Sequence, residues 1–134
     1  MWNGSRRSRA MTLAVLFLVA CGGCGSGTVT LATLVPVKGK VTYKGKPLSM
    51  GTVRFEPDGY GRMASGKLQS DGTFVLSTLK DGDGAAVGHH RVFLTDVDKS
   101  LAKDRDFKKF TGAVTSKLEV DVNSEHTDFP LDLK

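Results

Sequence analysis

The sequence predicts an all-β fold for residues 37–134, a seven-stranded Greek-key β-sandwich. Three observations carry this expectation. Short runs rich in Val, Phe, Leu and Thr alternate apolar and polar residues, Gly and Asp-Gly turns separate them, and outside a possible turn in residues 101–110 no amphipathic helix is evident. Successive side chains of a strand point to opposite faces, so each run buries one face and wets the other.

The elements follow in order. Val37 to Tyr43 places Val37, Gly39, Val41 and Tyr43 on one face and Lys38, Lys40 and Thr42 on the other. Lys44-Gly45-Lys46-Pro47 turns the chain, a second strand runs from Thr52 to Glu56, and Pro57-Asp58-Gly59 closes it. Gly66 to Gln69 and Thr73 to Ser77 are expected to form a hairpin around Ser70-Asp71-Gly72, because Asp-Gly tolerates the positive φ of tight turns. The glycine-rich segment Lys80-Asp81-Gly82-Asp83-Gly84 leads into His89 to Thr95, where Val92 and Leu94 alternate with Arg91 and Phe93. Lys117 to Val122 sets Leu118, Val120 and Val122 against Glu119 and Asp121, and the last run sets Phe129, Leu131 and Leu133 against Asp128 and Asp132. The total is six or seven short strands.

The chain of 134 residues and 14.3 kDa divides by pattern into three parts. Residues 1–20 read as an export signal: a basic start with Arg6, Arg7 and Arg9, then an uncharged apolar run from Ala10 to Ala20. That run is too short for a bilayer span, which takes about 20 apolar residues. Residues 21–36 read as anchor and linker, Gly/Ser-rich from Gly22 to Ser26 apart from Cys24. Residues 28–35 are apolar and threonine-rich, and their composition leaves open an ordered arm or a plain spacer. Residues 37–134 are the β domain.

Leu18-Val19-Ala20-Cys21 resembles the bacterial lipobox. That resemblance implies cleavage after Ala20 and lipidation of the Cys21 thiol; the alternative is an ordinary signal peptide with Cys21 a passive residue. Cys24 fits the box poorly, and with Cys21 acylated it has no thiol partner within the chain. Two or three acyl chains, at about 0.8 kcal/mol per buried methylene, hold a small domain at a membrane. Gly22 rather than Asp after the cysteine points to the outer membrane more than the inner.

Charge placement weakens a nucleic-acid reading. The 19 basic and 14 acidic residues give +5, but without Arg6, Arg7 and Arg9 the balance is 16 to 14, or +2. The later basic cluster, Lys99, Lys103, Arg105, Lys108 and Lys109, has Asp98, Asp104 and Asp106 interleaved and reads as a solvated loop.

Val37-Lys38-Gly39-Lys40-Val41-Thr42-Tyr43-Lys44-Gly45-Lys46-Pro47-Leu48, followed by Gly51-Thr52-Val53-Arg54-Phe55, Asp71-Gly72-Thr73-Phe74 and Asp83-Gly84-Ala85-Ala86-Val87-Gly88, resembles the carboxypeptidase regulatory-like, transthyretin-like domain of small lipoproteins common in planctomycete bacteria. The resemblance spans residues 37–134 and implies architecture; it transfers no catalytic residue. His90 stands where that family usually has Tyr, and is expected to be a half-buried histidine that hydrogen-bonds as the Tyr hydroxyl would.

Few residues offer chemistry. His89 and His90 are adjacent on a strand and point apart, so they do not share an ion without a bulge; His126 could join either. Asp81-Gly82-Asp83-Gly84 lacks the alternating ligands of a calcium loop and reads as a glycine turn. No Gly-x-Ser-x-Gly, P-loop or His-Glu-x-x-His is present. The expectation is a non-enzymatic lipoprotein without cofactor or metal, tied to membrane lipid through Cys21 and contacting an envelope protein or glycan. The alternative is a small hydrolase of the hydroxyisourate type, disfavoured because Asp128-Phe129-Pro130-Leu131-Asp132-Leu133-Lys134 lacks the Tyr-Arg-Gly-Ser of that group.

Overall fold

The computed structural model describes residues 32–134. The signal segment, Cys21, Cys24 and the tether lie outside the described residues. Within them the chain is all-β, with ten strands and two short helices: β1 (Leu34–Val35), β2 (Lys38–Tyr43), β3 (Lys46–Pro47), β4 (Thr52–Pro57), β5 (Ala64–Lys67), β6 (Thr73–Val75), β7 (Ala85–Ala86), β8 (Gly88–Thr95), α1 (Lys99–Lys103), α2 (Arg105–Lys108), β9 (Leu118–Val122) and β10 (Asp128–Leu133). The count exceeds the expected seven because β1, β3 and β7 are two-residue pieces. They are too short to leave an alternating pattern.

Two four-stranded sheets and one two-stranded ribbon result. In the first sheet β10 lies beside β2, which pairs on its other side with β6 through Lys38–Lys40 and with β3 through Thr42–Tyr43. The second has the order β5-β4-β8-β9 and is antiparallel throughout. β1 pairs with β7, drawing Leu34 and Val35 into the folded unit as an ordered arm.

One feature departs from an antiparallel Greek-key plan. β10 runs parallel to β2, with Phe129 opposite Gly39 and Leu133 opposite Tyr43. Pro130 has no N–H to give a ladder, and β10 tolerates it as an edge strand. The expected hairpin around Asp71-Gly72 forms, with the Gln69 N–H donating to the Thr73 carbonyl at 2.8 Å and Ser65 and Ser77 exchanging both backbone bonds at 2.9 Å, and it also makes a corner between the sheets. The turn forms, with Gly72 at φ +82° and its N–H donating to the Gln69 carbonyl at 2.9 Å. Between those bonds the arms spread to different sheets, β5 pairing with β4 and β6 with β2.

The inner faces of both sheets share one core. Val41, Tyr43, Phe74, Phe129, Leu131 and Leu133 come from the first, and Val53, Phe55, Ala64, Val92, Leu94 and Val122 from the second. The Phe55 ring reaches across to Phe129 (centroids 5.8 Å apart) and Phe74 (6.3 Å). Each such ring contributes about 1.5–3 kcal/mol by leaving water. Gly39 faces this core because a Cβ there would collide with the Phe129 carbonyl and lie 2.6 Å from the Phe74 ring.

The possible turn in residues 101–110 is two short helices. Asp98 caps α1 by accepting from the Ser100 N–H at 2.7 Å, and Asp104 caps α2 by accepting from the Asp106 N–H at 2.9 Å. Phe107 enters the core edge-on to Tyr43, with centroids 4.9 Å apart, and the Tyr43 hydroxyl donates to Asp104 at 2.9 Å.

Candidate functional site

The three histidines are parted by strand alternation and by the topology. His90 points inward from β8 and is fully buried, deeper than the half-burial expected of it. Its Nε2 lies 2.7 Å from the Ala86 carbonyl, so this nitrogen carries the proton and donates. Among the described residues Nδ1 has no partner, and Phe55 packs on the ring at 5.9 Å between centroids. His126 lies in the loop before β10, its ring on Phe129 at 4.5 Å, while its N–H donates to the Asn123 side chain at 2.7 Å.

His89 points outward into a cluster of charges. The ladder registers place Glu56, Arg91 and Glu119 side by side across β4, β8 and β9. One step along, the Asp58 N–H donates to the His89 carbonyl and His89 pairs with Asp121, giving a second row, Asp58, His89 and Asp121. Each row is acid, base, acid, as favourable cross-strand pairing prefers. Nδ1 of His89 is 2.7 Å from Asp121, and Nε2 is 3.5 Å from Glu119 and 3.9 Å from Asp58. The hydrogen bond to Asp121 holds the imidazole above its ordinary value of 6.5, with further help from Glu119 and Asp58 against partial burial. Arg91 reaches Asp58 at 4.0 Å and donates to the Ala113 carbonyl at 3.3 Å.

This face carries four carboxylates around one guanidinium and one imidazole, and it is open to solvent, the His89 side chain being 38% exposed. Asp121 approaches Nδ1 of His89, and Glu119 and Asp58 both approach Nε2. Among the described residues, no three His, Cys, Asp or Glu side chains are arranged to hold a metal ion. Glu56 and Asp58 were not legible as partners of His89, because only the pairing of β4 with β8 brings them there.

The Asp81–Gly84 segment is a structural turn. Asp83 accepts from the N–H groups of Thr78 (2.6 Å), Leu79 (2.9 Å) and Lys80 (2.8 Å). The Thr78 bond, with those of Lys80 and Leu79, holds its carboxyl below the ordinary value of 3.8. Both its oxygens already serve the backbone.

Fold and site together define an all-β protein of two sheets over a shared core, with a charged, open outer face on the second. No protein-family model matches the chain, and no curated protein does. Among solved structures, the crystal structure of a DUF3823 family protein from Parabacteroides merdae is similar to it at 23% identity, with a TM-score of 0.45, over 77% of this chain and 47% of that one. The chain thus spans about half the length of that protein. Among the described residues, no helix is long and apolar enough to cross a membrane.

Proposed function

We propose that the protein is a non-enzymatic lipoprotein of the cell envelope, held by an acylated Cys21 at the outer membrane. On this reading it displays a Greek-key sandwich of the carboxypeptidase regulatory-like, transthyretin-like kind to an envelope protein or glycan. The observation that carries the reading is the placement of Asp58, His89, Arg91, Glu119 and Asp121 on an open sheet face rather than in a cleft. Turnover of small molecules takes place in concave, desolvated sites, whereas open charged faces suit macromolecular surfaces. His90, the other histidine of β8, is sealed in the core and holds the backbone at Ala86.

Intact mass of the membrane-extracted protein, beside a Cys21→Ala version, tests the anchor. A chain beginning at Cys21 with added acyl mass, lost in the variant, is expected; an unmodified chain overturns the lipoprotein reading. Turnover of 5-hydroxyisourate above its spontaneous rate, abolished by His89→Ala, would replace the non-enzymatic reading with the hydrolase one.

A further inference from the structure

Among the described residues, the basic run of residues 99–109 makes no ion pair with the acids interleaved in it. Asp98 and Asp104 cap α1 and α2, and Asp104 also takes the Tyr43 hydroxyl. Asp104 and Asp106 face Lys44 of the neighbouring sheet at 3.5 and 3.8 Å. With its acidic neighbours engaged elsewhere, Lys109 borders a cavity of about 610 Å³ together with Phe110, Thr115, Lys117, Asp132 and Lys134.

The segment that supplies four of these six residues is fixed in place. The Leu94 N–H donates to the Phe110 carbonyl at 2.8 Å, and the buried Ser116 hydroxyl donates to the Val92 carbonyl. Between those anchors, the Ser116 N–H donates to the Gly112 carbonyl at 2.8 Å and Arg91 holds Ala113. Phe110 is nearly buried, edge-on to Phe107, with the Lys109 ammonium 5.0 Å from its ring centre. Lys134 reaches the cavity from the end of β10, where Lys44 and Leu133 join backbones at 3.1 Å. Of the three lysines, Lys134 has a carboxylate within 4.0 Å among the described residues, Asp132 at 3.1 Å. The side chains lining the cavity thus include three lysines and one aspartate.

We propose that this cavity binds a phosphate monoester. Its dianionic group would lie among Lys109, Lys117 and Lys134, and its organic part in the rest of the cavity. Lysines act as point charges and suit a tetrahedral dianion approached from several directions, whereas planar carboxylates are better met by the fork of an arginine. The Thr115 hydroxyl bonds the Gly112 carbonyl at 3.3 Å, long enough to be exchanged for a phosphate oxygen. The volume lies in the range of about 300–1,000 Å³ typical of small-molecule sites, which leaves room for more than a bare anion. A soluble phosphate ester and a phosphatidic acid headgroup offer the same chemistry. The site does not depend on whether Cys21 is acylated.

The test is titration of full-length protein in neutral detergent micelles with glycerol 1-phosphate, followed by amide chemical shifts. Saturable shifts at Phe110, Thr115, Lys117 and Lys134 are expected. The Lys109→Gln/Lys117→Gln pair should weaken binding about tenfold, and Asp132→Asn, which removes the opposing charge, should tighten it about threefold. Lys38→Gln/Lys40→Gln, an equal charge loss on the outer face of β2, should leave it unchanged. Repeating the titration in micelles doped with phosphatidic acid separates the sources. Shifts already present before glycerol phosphate is added, and absent in the Lys109/Lys117 pair, identify the headgroup; their absence beside glycerol phosphate binding identifies a soluble ester. No saturable shift with either probe, or equal weakening in the Lys38/Lys40 control, overturns the proposal.

Discussion

His90 and Ala86 are joined by a hydrogen bond of 2.7 Å between the imidazole Nε2 and the backbone carbonyl four residues earlier. This ties the end of β7 to β8 across the bend at Val87, after which Gly88 opens β8 at φ +138°. The ring is wholly buried, so its contribution is packing and one directed bond. The unpartnered Nδ1 is an unfavourable feature that the burial outweighs.

Replacing His90 by Ala leaves a cavity beside Phe55 and an unpaired Ala86 carbonyl. The expected cost is about 3 kcal/mol, read from the urea midpoint. A loss below about 0.5 kcal/mol would show that the ring is not packed in this way.

His89 should titrate above 6.5 in the folded protein, and Asp121→Asn should bring it back toward that value, as followed by imidazole proton shifts. Because the folded value is raised, its stabilising contribution is complete below 6.5 and disappears as pH rises through the folded value. The wild type should therefore lose its stability advantage over Asp121→Asn between slightly acidic and mildly alkaline pH.

Asp83 works in the opposite direction. Its carboxyl is depressed below 3.8, so its contribution is present above 3.8 and lost as pH falls through the folded value. Asp83→Ala should lower the urea midpoint at neutral pH, and the gap to wild type should narrow on strong acidification. A gap independent of pH would refute the capping role.

Two glycines should differ sharply on substitution. Gly39→Ala drives a methyl into the Phe129 carbonyl and the Phe74 ring and should cost about 3 kcal/mol. Gly45→Ala meets open space and bears only the strain of φ +79°, about 1 kcal/mol. Thermal melts of the two variants decide this, and equal losses would contradict the packing of β10 on β2.

What the sequence displayed was the local half of the fold. Alternation along Val37–Tyr43 and Leu118–Val122 marked the inward faces, and the same rule sent His89 outward and His90 inward. It was silent where strands meet at a distance. Nothing near Asp58 or Glu56 marks them as neighbours of β8, and nothing near Phe129 marks a parallel partner 90 residues upstream. The interleaved aspartates of residues 98–106 made this stretch read as a solvated loop. Helix N-termini and the Tyr43 hydroxyl compete for the same carboxylates and take them, which leaves Lys109 to the cavity beside Phe110.

The parallel union of β10 with β2 also sets the order in which the chain can acquire its structure. Thr42 and Asp132, bonded at 3.1 Å, are separated by 90 positions, so one flank of β2 stays bare until nearly the whole polypeptide is available. Closing so wide a loop is entropically slow, and topologies dominated by such distant pairings fold in milliseconds to seconds rather than microseconds. Because the chain's tenth strand is the partner on that flank, the second strand gains this neighbour only after every other strand has been laid down.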